Sequence, residues 1–398
     1  MTKPLWQQRN FMLLWSGQLV SWVGSRVSGI ALPLVVLALT NSPVQAGGVA
    51  GIRGLVFIIL AIPAGVLMDR WNRRTVMVLA NLGSGIAIGS IAVALFFHQL
   101  TVLQVYIASV ADGIFFVFAN LGRLISFPKV VSKEQYPAAS AQSAASDNFA
   151  SLIGPPLGGF LYQTIGAFMS FFIDSFSYFL NAISVFFINI PLGTETPIER
   201  KAIRHDIKEA FVLFWRQPLL QFITLLTAGR RIIESGSYLL IIVLAKEHHA
   251  SSLFIGSIFA VGAIGGILGS LGAAKIHNNF KMRPLLMNAS FLSFFIFSLY
   301  AVAINNYLLA AVTALLYSIE PLFEVIAATY TVNVIPDEIR GRILSLTRPI
   351  IYGAYSLGFF IAGILLQYLG GNWTIGLFSC LLFILFLATL LNKKLVTT

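Results

Sequence analysis

The stretch GVLMDRWNRR, residues 65–74, separates two long apolar segments, 47–67 and 75–97. Each segment is about as long as the ~20 residues of helix that cross a hydrocarbon core of ~30 Å. Three of the ten residues of this stretch are arginines. Two apolar segments joined by a short basic loop are typical of a polytopic membrane protein, because cationic loops are retained on the cytoplasmic side.

Apolar segments of this length recur along the whole chain of 398 residues. We count twelve, at 11–39, 47–67, 75–97, 102–124, 139–163, 168–190, 219–245, 253–274, 284–304, 307–333, 346–369 and 373–391. Hydrophobic residues make up 57% of the chain and charged residues 10%, against about 25% charged residues in a soluble domain. We therefore predict an all-α membrane protein with twelve transmembrane helices.

The lysines and arginines fall almost entirely in alternate loops. Twenty-one of the 26 lie in loops on the side of the N-terminus, and Lys246 alone lies in the opposite loops. This asymmetry predicts that both termini are cytoplasmic in a multi-pass protein of the cell inner membrane. It also accounts for the net charge of +11, so no nucleic-acid partner is expected.

A long polar stretch, 191–218, lies midway along the chain and predicts a cytoplasmic linker. It separates an N-terminal six-helix bundle, residues 1–190, from a C-terminal six-helix bundle, residues 219–398.

The two halves resemble each other in sequence. SLIGPPLGGFLYQTIG at 151–166 aligns with YSLGFFIAGILLQYLG at 355–370, and a similar shift places Arg26 against Arg231. Repeats with an even number of spans are parallel, and the substrate site lies at their interface. The prediction is therefore two pseudo-symmetric six-helix bundles.

Several motifs resemble those of the major facilitator superfamily. GVLMDRWNRR resembles its loop signature, and GPPLGG at 154–159 looks like the Gly-Pro motif of its proton-driven antiporters. NFMLLWSGQLVSWVGS at 10–25 and FFIDSFSYFLNAISV at 171–185 look like the drug-efflux branch that includes macrolide and siderophore exporters. The chain departs from the family where Ser25 and Arg26 follow the glycine of the first span, since relatives often place Asp there.

The resemblance implies gating roles for the first two motifs. Asp69 would pair or cap at a helix end and release when protons or substrate arrive, while the arginines anchor the loop to the anionic leaflet. The alternative is that the arginines only set the topology. The glycines of the fifth span allow close packing, and the prolines bend it. The residues assigned to gating are Gly65, Asp69, Arg70, Arg73, Arg74, Gly154, Pro155, Gly158 and Gly159.

Charged residues occur inside spans 1, 4, 7 and 10, which by the resemblance line the central cavity. A charge at the bilayer centre costs about 2.5–3.5 kcal/mol on insertion scales, and such residues normally face a cavity. At about 1.5 Å per residue, Asp112 lies about 15 Å and Arg26 about 20 Å into its span. The predicted cavity residues are Arg26, Asp112, Arg230, Arg231, Glu234, Glu320 and Glu324.

These residues divide by chemistry into two groups. Glu320 and Glu324 lie one helical turn apart and repel each other, which favours a bound proton, and with Asp112 they are the predicted proton-coupling residues. Arginine keeps its proton, so Arg26 and Arg231 are expected to pair with Asp112 and Glu320 across the cavity or to hold an anionic substrate group. The alternative is a static ion-pair network.

Two more charged residues inside the spans receive other interpretations. Arg53 in the second span is expected to snorkel to the surface. Asp174 in the sixth span is expected to satisfy backbone groups or a neighbouring helix.

Known catalytic patterns do not occur in the sequence. It contains no GxxxxGK[ST] phosphate-binding motif, which excludes ATP hydrolysis by this chain. Cys380 is the single cysteine, and no convergent Ser, His, Cys or metal constellation indicates an enzyme. No cofactor or metal is expected.

The sequence thus predicts a secondary active transporter, a monomer that exports a small amphipathic or anionic molecule of the drug or siderophore class. Export would be coupled to protons and work by alternating access. Three alternatives stay open: an importer on the same fold, a lysolipid flippase, and a membrane receptor or scaffold that transports nothing.

Overall fold

The computed structural model describes residues 4–68, 71–189, 214–215, 217–279, 282–334 and 337–392. Within these ranges the chain is helical and forms no strand. The long helices are α1 (Arg9–Thr40), α2 (Pro43–Met68), α3 (Arg73–Phe96), α4 (Val102–Val130), α5 (Tyr136–Thr164), α6 (Ala167–Phe186), α7 (Pro218–Glu247), α8 (Ser252–Asn279), α9 (Met282–Ser298), α10 (Asn306–Val334), α11 (Asp337–Tyr368) and α12 (Gly370–Leu391). Short 3₁₀ turns occur at Leu5–Gln7, Lys133–Gln135 and Leu299–Val302.

The twelve long helices follow the order of the twelve predicted spans. The largest differences in bounds concern α11, which starts before its predicted span at 346, α4, which runs past 124 to Val130, and α9, which gives way to a 3₁₀ turn at Leu299. Of the predicted linker, 191–213 and Arg216 lie outside the described residues, and so do Asp69 and Arg70.

Ten of the described helices are long and apolar enough to cross a membrane by length and composition alone. The other two are α5 and α7. Any stretch of α7 long enough to span contains Arg230, Arg231 and Glu234, and α5 is rich in Ala, Ser and Gly. Polar spans are tolerated when they face protein or water rather than lipid. These two helices are therefore the first candidates to line a binding site.

Residues with a positive backbone φ angle follow most of the odd-numbered helices. In the described part of the chain, the residues with positive φ are Asn41, His98, Gly166, His249 and Gly370. The first four lie in the short turns after α1, α3, α5 and α7, and Gly370 is the first residue of α12. A residue in this conformation stops a helix and lets the next one start at once. The turns that follow odd-numbered helices are the loops that carry few lysines and arginines.

The helices group into two compact units. The first unit holds α1, α2 from Ile52 onward, α3 to α6, and the first residues of α8 as far as Gly256. The second unit holds the start of α2 as far as Gly51, α7, α8 from Ser257 onward, and α9 to α12.

In the first unit, α1 packs against α5 and α6, and α3 packs against α4 and α6. Small residues line these crossings: Gly17 and Gly24 of α1 face the side chains of Asn181 and Ser177 on α6. Small residues at helix crossings let the backbones approach closely, which supplies the packing energy of a bundle in lipid.

The same helix pairs recur in the second unit. There α7 packs against α11 and α12, and α9 packs against α10 and α12. The pairs α1–α5 and α3–α6 of the first unit thus correspond to α7–α11 and α9–α12, as the sequence repeat predicts.

Candidate functional site

Five ionic side chains of α7 and α10 meet in the second unit, and we call them the ionic cluster. Its members are Arg230, Arg231, Glu234, Glu320 and Glu324. Arg231 lies 2.5 Å from Glu234 (Nη1 to Oε2) and 2.7 Å from Glu324 (Nη2 to Oε1). Arg230 lies 2.6 Å from Glu320 (Nη2 to Oε1). With every group ionised, the cluster carries three negative and two positive charges.

Helix geometry explains why Arg230 and Arg231 pair with different carboxylates. Successive residues of an α-helix point about 100° apart, so Arg230 and Arg231 reach different neighbours. Glu320 and Glu324 are four residues apart and lie one above the other on α10. Each arginine therefore binds its own carboxylate of α10, and Glu234 is left to share Arg231 with Glu324.

Arg230 is the enclosed member of the cluster. Its side chain is only 6% exposed, it donates to Ser293 Oγ at 3.2 Å, and its guanidinium lies 3.3 Å from the ring centre of Phe323. A buried, aromatic-stacked arginine with a single carboxylate partner is held in one geometry. The pair with Glu320 is thus the rigid part of the cluster.

A small polar pocket adjoins the cluster inside the second unit. Its polar lining comes from α7, α9 and α10 and consists of Arg230, Glu234, Ser237, Ser293, Tyr317 and Glu320. The volume open to the centres of water molecules is about 10 Å³, which is about the room that one water needs. A water there would have donors and acceptors on several sides, and it would join Glu234 to Glu320.

Glu324 is the exposed member of the cluster, with 64% of its side chain accessible. An ionised carboxylate inside a membrane span faces protein or a water-filled cavity rather than acyl chains. This face of α10 is therefore the side of the second unit on which a ligand or a proton can arrive.

A second ion pair lies in the first unit. Arg26 of α1 donates to Asp147 of α5 at 3.0 Å (Nη2 to Oδ1), and the two side chains are 46% and 47% exposed. One turn before Arg26, the ring of Trp22 lies under the guanidinium of Arg123, whose Cζ is 5.4 Å from the ring centre. The accessible face of α1 thus presents positive charge next to an aromatic surface.

Asp112 lies in a different place, in the enclosed part of the first unit. It is buried, and Oδ2 lies 3.5 Å from Nε of Arg53 on α2. Arg53 also stacks on Phe116, with Cζ 3.9 Å from the ring centre. The expectation that Arg53 snorkels to the surface is wrong, because the buried carboxylate of Asp112 draws the guanidinium inward.

The expected pairing of Arg26 and Arg231 with Asp112 and Glu320 differs from the pairs in the structure. Arg26 binds Asp147, Arg231 binds Glu234 and Glu324, and the two predicted acids bind Arg53 and Arg230 instead. Each group is paired within its own unit, with a residue of a neighbouring helix or, for Arg231 and Glu234, also of the same helix.

The residues assigned to gating lie in several surroundings. Arg73 is buried at the start of α3, and Arg74 donates to the backbone carbonyl of Phe186, which ties that start to the end of α6. Gly65 has open space where a Cβ would stand.

The motif of α5 lies inside a continuous helix. Pro155 does not interrupt α5, which runs on to Thr164. Gly154 and Gly158 lie directly against Arg26 and Val27 of α1, and Gly159 lies against the backbone of Ser252 within the first unit. This motif is a close-packing surface.

Sequence reasoning assigned no site role to Arg53, Asp147 or Tyr178. Arg53 is the only charged residue within α2, and Asp147 the only one within α5. Matching each lone charge against an opposite charge in a neighbouring span would have drawn attention to both. Tyr178, which accepts a hydrogen bond from Arg53 at 3.1 Å, has no such sequence signal.

Comparison with known proteins gives a family match over most of the chain. The family model of the Major Facilitator Superfamily matches residues 14–319 and 224–395. The enterobactin exporter EntS of Citrobacter koseri is 25% identical over 337 residues, which are 84% of this chain and 79% of that protein. The uncharacterized MFS-type transporter YfiS of Bacillus subtilis is 27% identical over 414 residues, with 99% and 96% covered.

Solved structures share the fold. A bacterial homolog of the human lysosomal transporter Spinster has a TM-score of 0.78 at 14% identity, with 99% of both chains covered. A bacterial homologue of the iron transporter ferroportin has a TM-score of 0.73 at 15% identity, with 98% of this chain and 99% of that chain covered. At these identities the likeness extends to the fold alone.

Proposed function

Because this chain belongs to the major facilitator superfamily, it is a multi-pass membrane transporter, and we propose that it is a proton-coupled exporter of a small amphipathic or anionic molecule. The observation that carries the proposal is the ionic cluster, in which three carboxylates share two arginines. The similarity to an enterobactin exporter at 25% identity supports the direction and the siderophore class of substrate.

The proton is the first ligand of the proposed cycle. With one carboxylate in excess, the fully ionised cluster holds an uncompensated negative charge, and a single proton neutralises it. Glu324 is the best placed to take this proton, because it is the most exposed carboxylate of the cluster and shares Arg231 with Glu234. The partly exposed Glu320 is held by the buried Arg230 and serves as the fixed part.

The substrate is the second ligand, and its chemistry decides how it couples to the proton. A hydroxyl or amine donor of the substrate would bind Glu324 as an ionised acceptor, so substrate and proton compete, and competition for one site is what an exchanger requires. An anionic group of the substrate would bind at Arg26, whose side chain is half exposed beside Asp147.

The test is transport in proteoliposomes under an imposed pH gradient, with a panel of siderophores, drugs and polycarboxylates. Glu324→Gln is expected to abolish gradient-driven transport and to keep substrate-for-substrate exchange, because the glutamine carries no titratable proton. Glu247→Gln is the matched control: it changes an exposed glutamate at the end of the same α7 that holds Arg231, and it should transport as the wild type does.

Two results would overturn the proposal. Full gradient-driven transport by Glu324→Gln and by Glu320→Gln would remove both carboxylates from the mechanism. Substrate affinity that rises as the pH falls would indicate that proton and substrate bind together, as in an importer that uses cotransport.

A further inference from the structure

A hydrogen-bonded network lies among α1, α2, α4 and α6 of the first unit, with its two carboxyl groups buried and Arg53 partly exposed. At its centre is Asp174 of α6, which is only 2% exposed. Its Oδ1 accepts from Ser25 Oγ at 3.2 Å, and its Oδ2 accepts from Ser28 Oγ. Both serines belong to α1, so the expectation that Asp174 satisfies a neighbouring helix is confirmed.

The network continues from Ser25 to a second carboxyl group. Ser25 Oγ lies 3.1 Å from the hydroxyl oxygen of Tyr178, and that hydroxyl accepts from Arg53 Nη2 at 3.1 Å. Arg53 then pairs with Asp112 through Nε at 3.5 Å. The chain of contacts therefore joins Asp174 to Asp112 through one tyrosine, one serine and one arginine.

The charges of this network do not balance when every group is ionised. Its carboxyl groups are Asp112 and Asp174, and its cation among the described residues is Arg53. Charged groups on the other packed helices lie elsewhere: Asp147 of α5 binds Arg26 on the accessible face of α1, and Arg73 and Arg74 stand at the first residues of α3. An uncompensated charge buried in this way is costly, and a carboxyl group neutralises instead.

The hydrogen bonds of Ser28 suit both forms of Asp174. In the ionised form, the hydroxyl of Ser28 donates to Asp174 Oδ2. In the protonated form, the Asp174 carboxyl would donate to Ser28 Oγ, and the hydroxyl of Ser28 would turn to the backbone carbonyl of Ser25, 3.4 Å away. Since a serine hydroxyl both donates and accepts and its hydrogen rotates freely, no heavy atom has to move.

From this geometry we propose that Asp174 binds a proton and that this network is a proton-binding site of the first unit, separate from the ionic cluster. Ser25 and Ser28 lie on either side of Arg26 in α1. The proton on Asp174 thus changes the hydrogen bonds of the helix that carries a substrate-facing arginine. Proton binding by Asp174 does not depend on the proposed function; only the use of that proton in transport rests on it.

Infrared difference spectroscopy of the full chain in lipid tests the proposal without any substrate. The protein is labelled with ¹³C at aspartate carboxyl groups, so that aspartate bands are separated from those of Glu320 and Glu324. The wild type is expected to show the carbonyl stretch of a protonated aspartic acid that disappears as the pH is raised. Asp174→Asn should lose this band, and the matched control Asp147→Asn should keep it.

Ser28→Ala provides a second readout that does not require loss of the carboxyl group. It removes the hydrogen-bond partner of the protonated carboxyl, so the band is expected to persist and to shift in frequency. Thermal unfolding establishes that each variant is folded. If Asp174→Asn fails to fold, the frequency shift of the carbonyl band in Ser28→Ala tests whether Asp174 is the protonated group.

Three results would overturn the inference: a wild type without a titrating aspartate band, a band that survives Asp174→Asn, or a band that Ser28→Ala leaves unshifted. Any of these together with intact gradient-driven transport would remove the first-unit site and leave the proposed exporter standing. Loss of transport in Glu324→Gln with the Asp174 band intact would support both.

Discussion

Gly154 of α5 lies directly against the Cβ of Arg26 on α1. Asp147, the partner of Arg26, lies two turns earlier on the same face of α5. The repeat-related residue Gly358 of α11 lies in the same way against Ile232 of α7, next to Arg231. In each unit, a glycine therefore lets two helices approach at the point where one of them carries a site arginine.

The first prediction concerns this contact. In Gly154→Ala the added methyl group would collide with the Cβ and backbone of Arg26, and overpacking of this kind costs about 1–3 kcal/mol. We expect a lower temperature of thermal unfolding and weaker substrate binding. Gly29→Ala on α1 is the matched control, because open space surrounds that position. Equal stability of the two variants would contradict the close contact.

The second prediction separates the two carboxylates of α10. Glu320→Gln leaves the buried Arg230 without its ionic partner, and breaking a buried pair costs about 3–5 kcal/mol. Glu324 is largely exposed, so Glu324→Gln should change the free energy of unfolding by less than about 1 kcal/mol. Thermal unfolding in detergent measures both.

A double variant strengthens that comparison. Replacing Arg230 and Glu320 together with methionine removes the buried charge and its partner at once, and such paired replacements are often neutral. The double variant should therefore recover most of the stability that Glu320→Gln loses. If Glu320→Gln is as stable as the wild type, the pair is not the rigid part of the cluster.

The third prediction concerns Arg26 and Asp147. If Arg26 holds an anionic group of the substrate, Arg26→Gln should weaken the binding of anionic substrates by a factor of about 10 to 150, since a hydrogen bond to a charged group is worth about 1.5–3 kcal/mol. Asp147→Asn should strengthen their binding, because it removes a carboxylate that competes with the substrate for Arg26. Equilibrium binding to the purified protein measures both. A purely structural ion pair would instead give weaker binding in both variants.

The fourth prediction concerns the orientation in the membrane. In a Cys380→Ser background, His249→Cys places a thiol in the exposed turn after α7, and Trp71→Cys places one in the exposed turn before α3. The distribution of lysine and arginine puts the first outside and the second in the cytoplasm. A membrane-impermeant maleimide added to intact cells should label His249→Cys and should label Trp71→Cys only after the membrane is disrupted. The opposite pattern would reverse the predicted topology.

The sequence alone determined the number and order of the membrane helices and the kinds of residue inside them. Segment length and hydropathy over about 20 residues are local properties, and together they located twelve helices, although the charged α7 and the small-residue-rich α5 are not apolar enough to span by composition alone. The same local pattern identified Arg231, Glu234, Glu320 and Glu324 as charges at membrane depth.

Only the tertiary structure decided which of these charges meet. Arg26 and Asp147 are 121 positions apart, and Arg53 turns inward to Asp112 rather than outward to the surface. Partners of this kind depend on which faces of distant helices pack together, and that packing is set by close contacts such as Gly154 on Arg26. A pattern of spacing along one helix contains no information about the face that its neighbour presents.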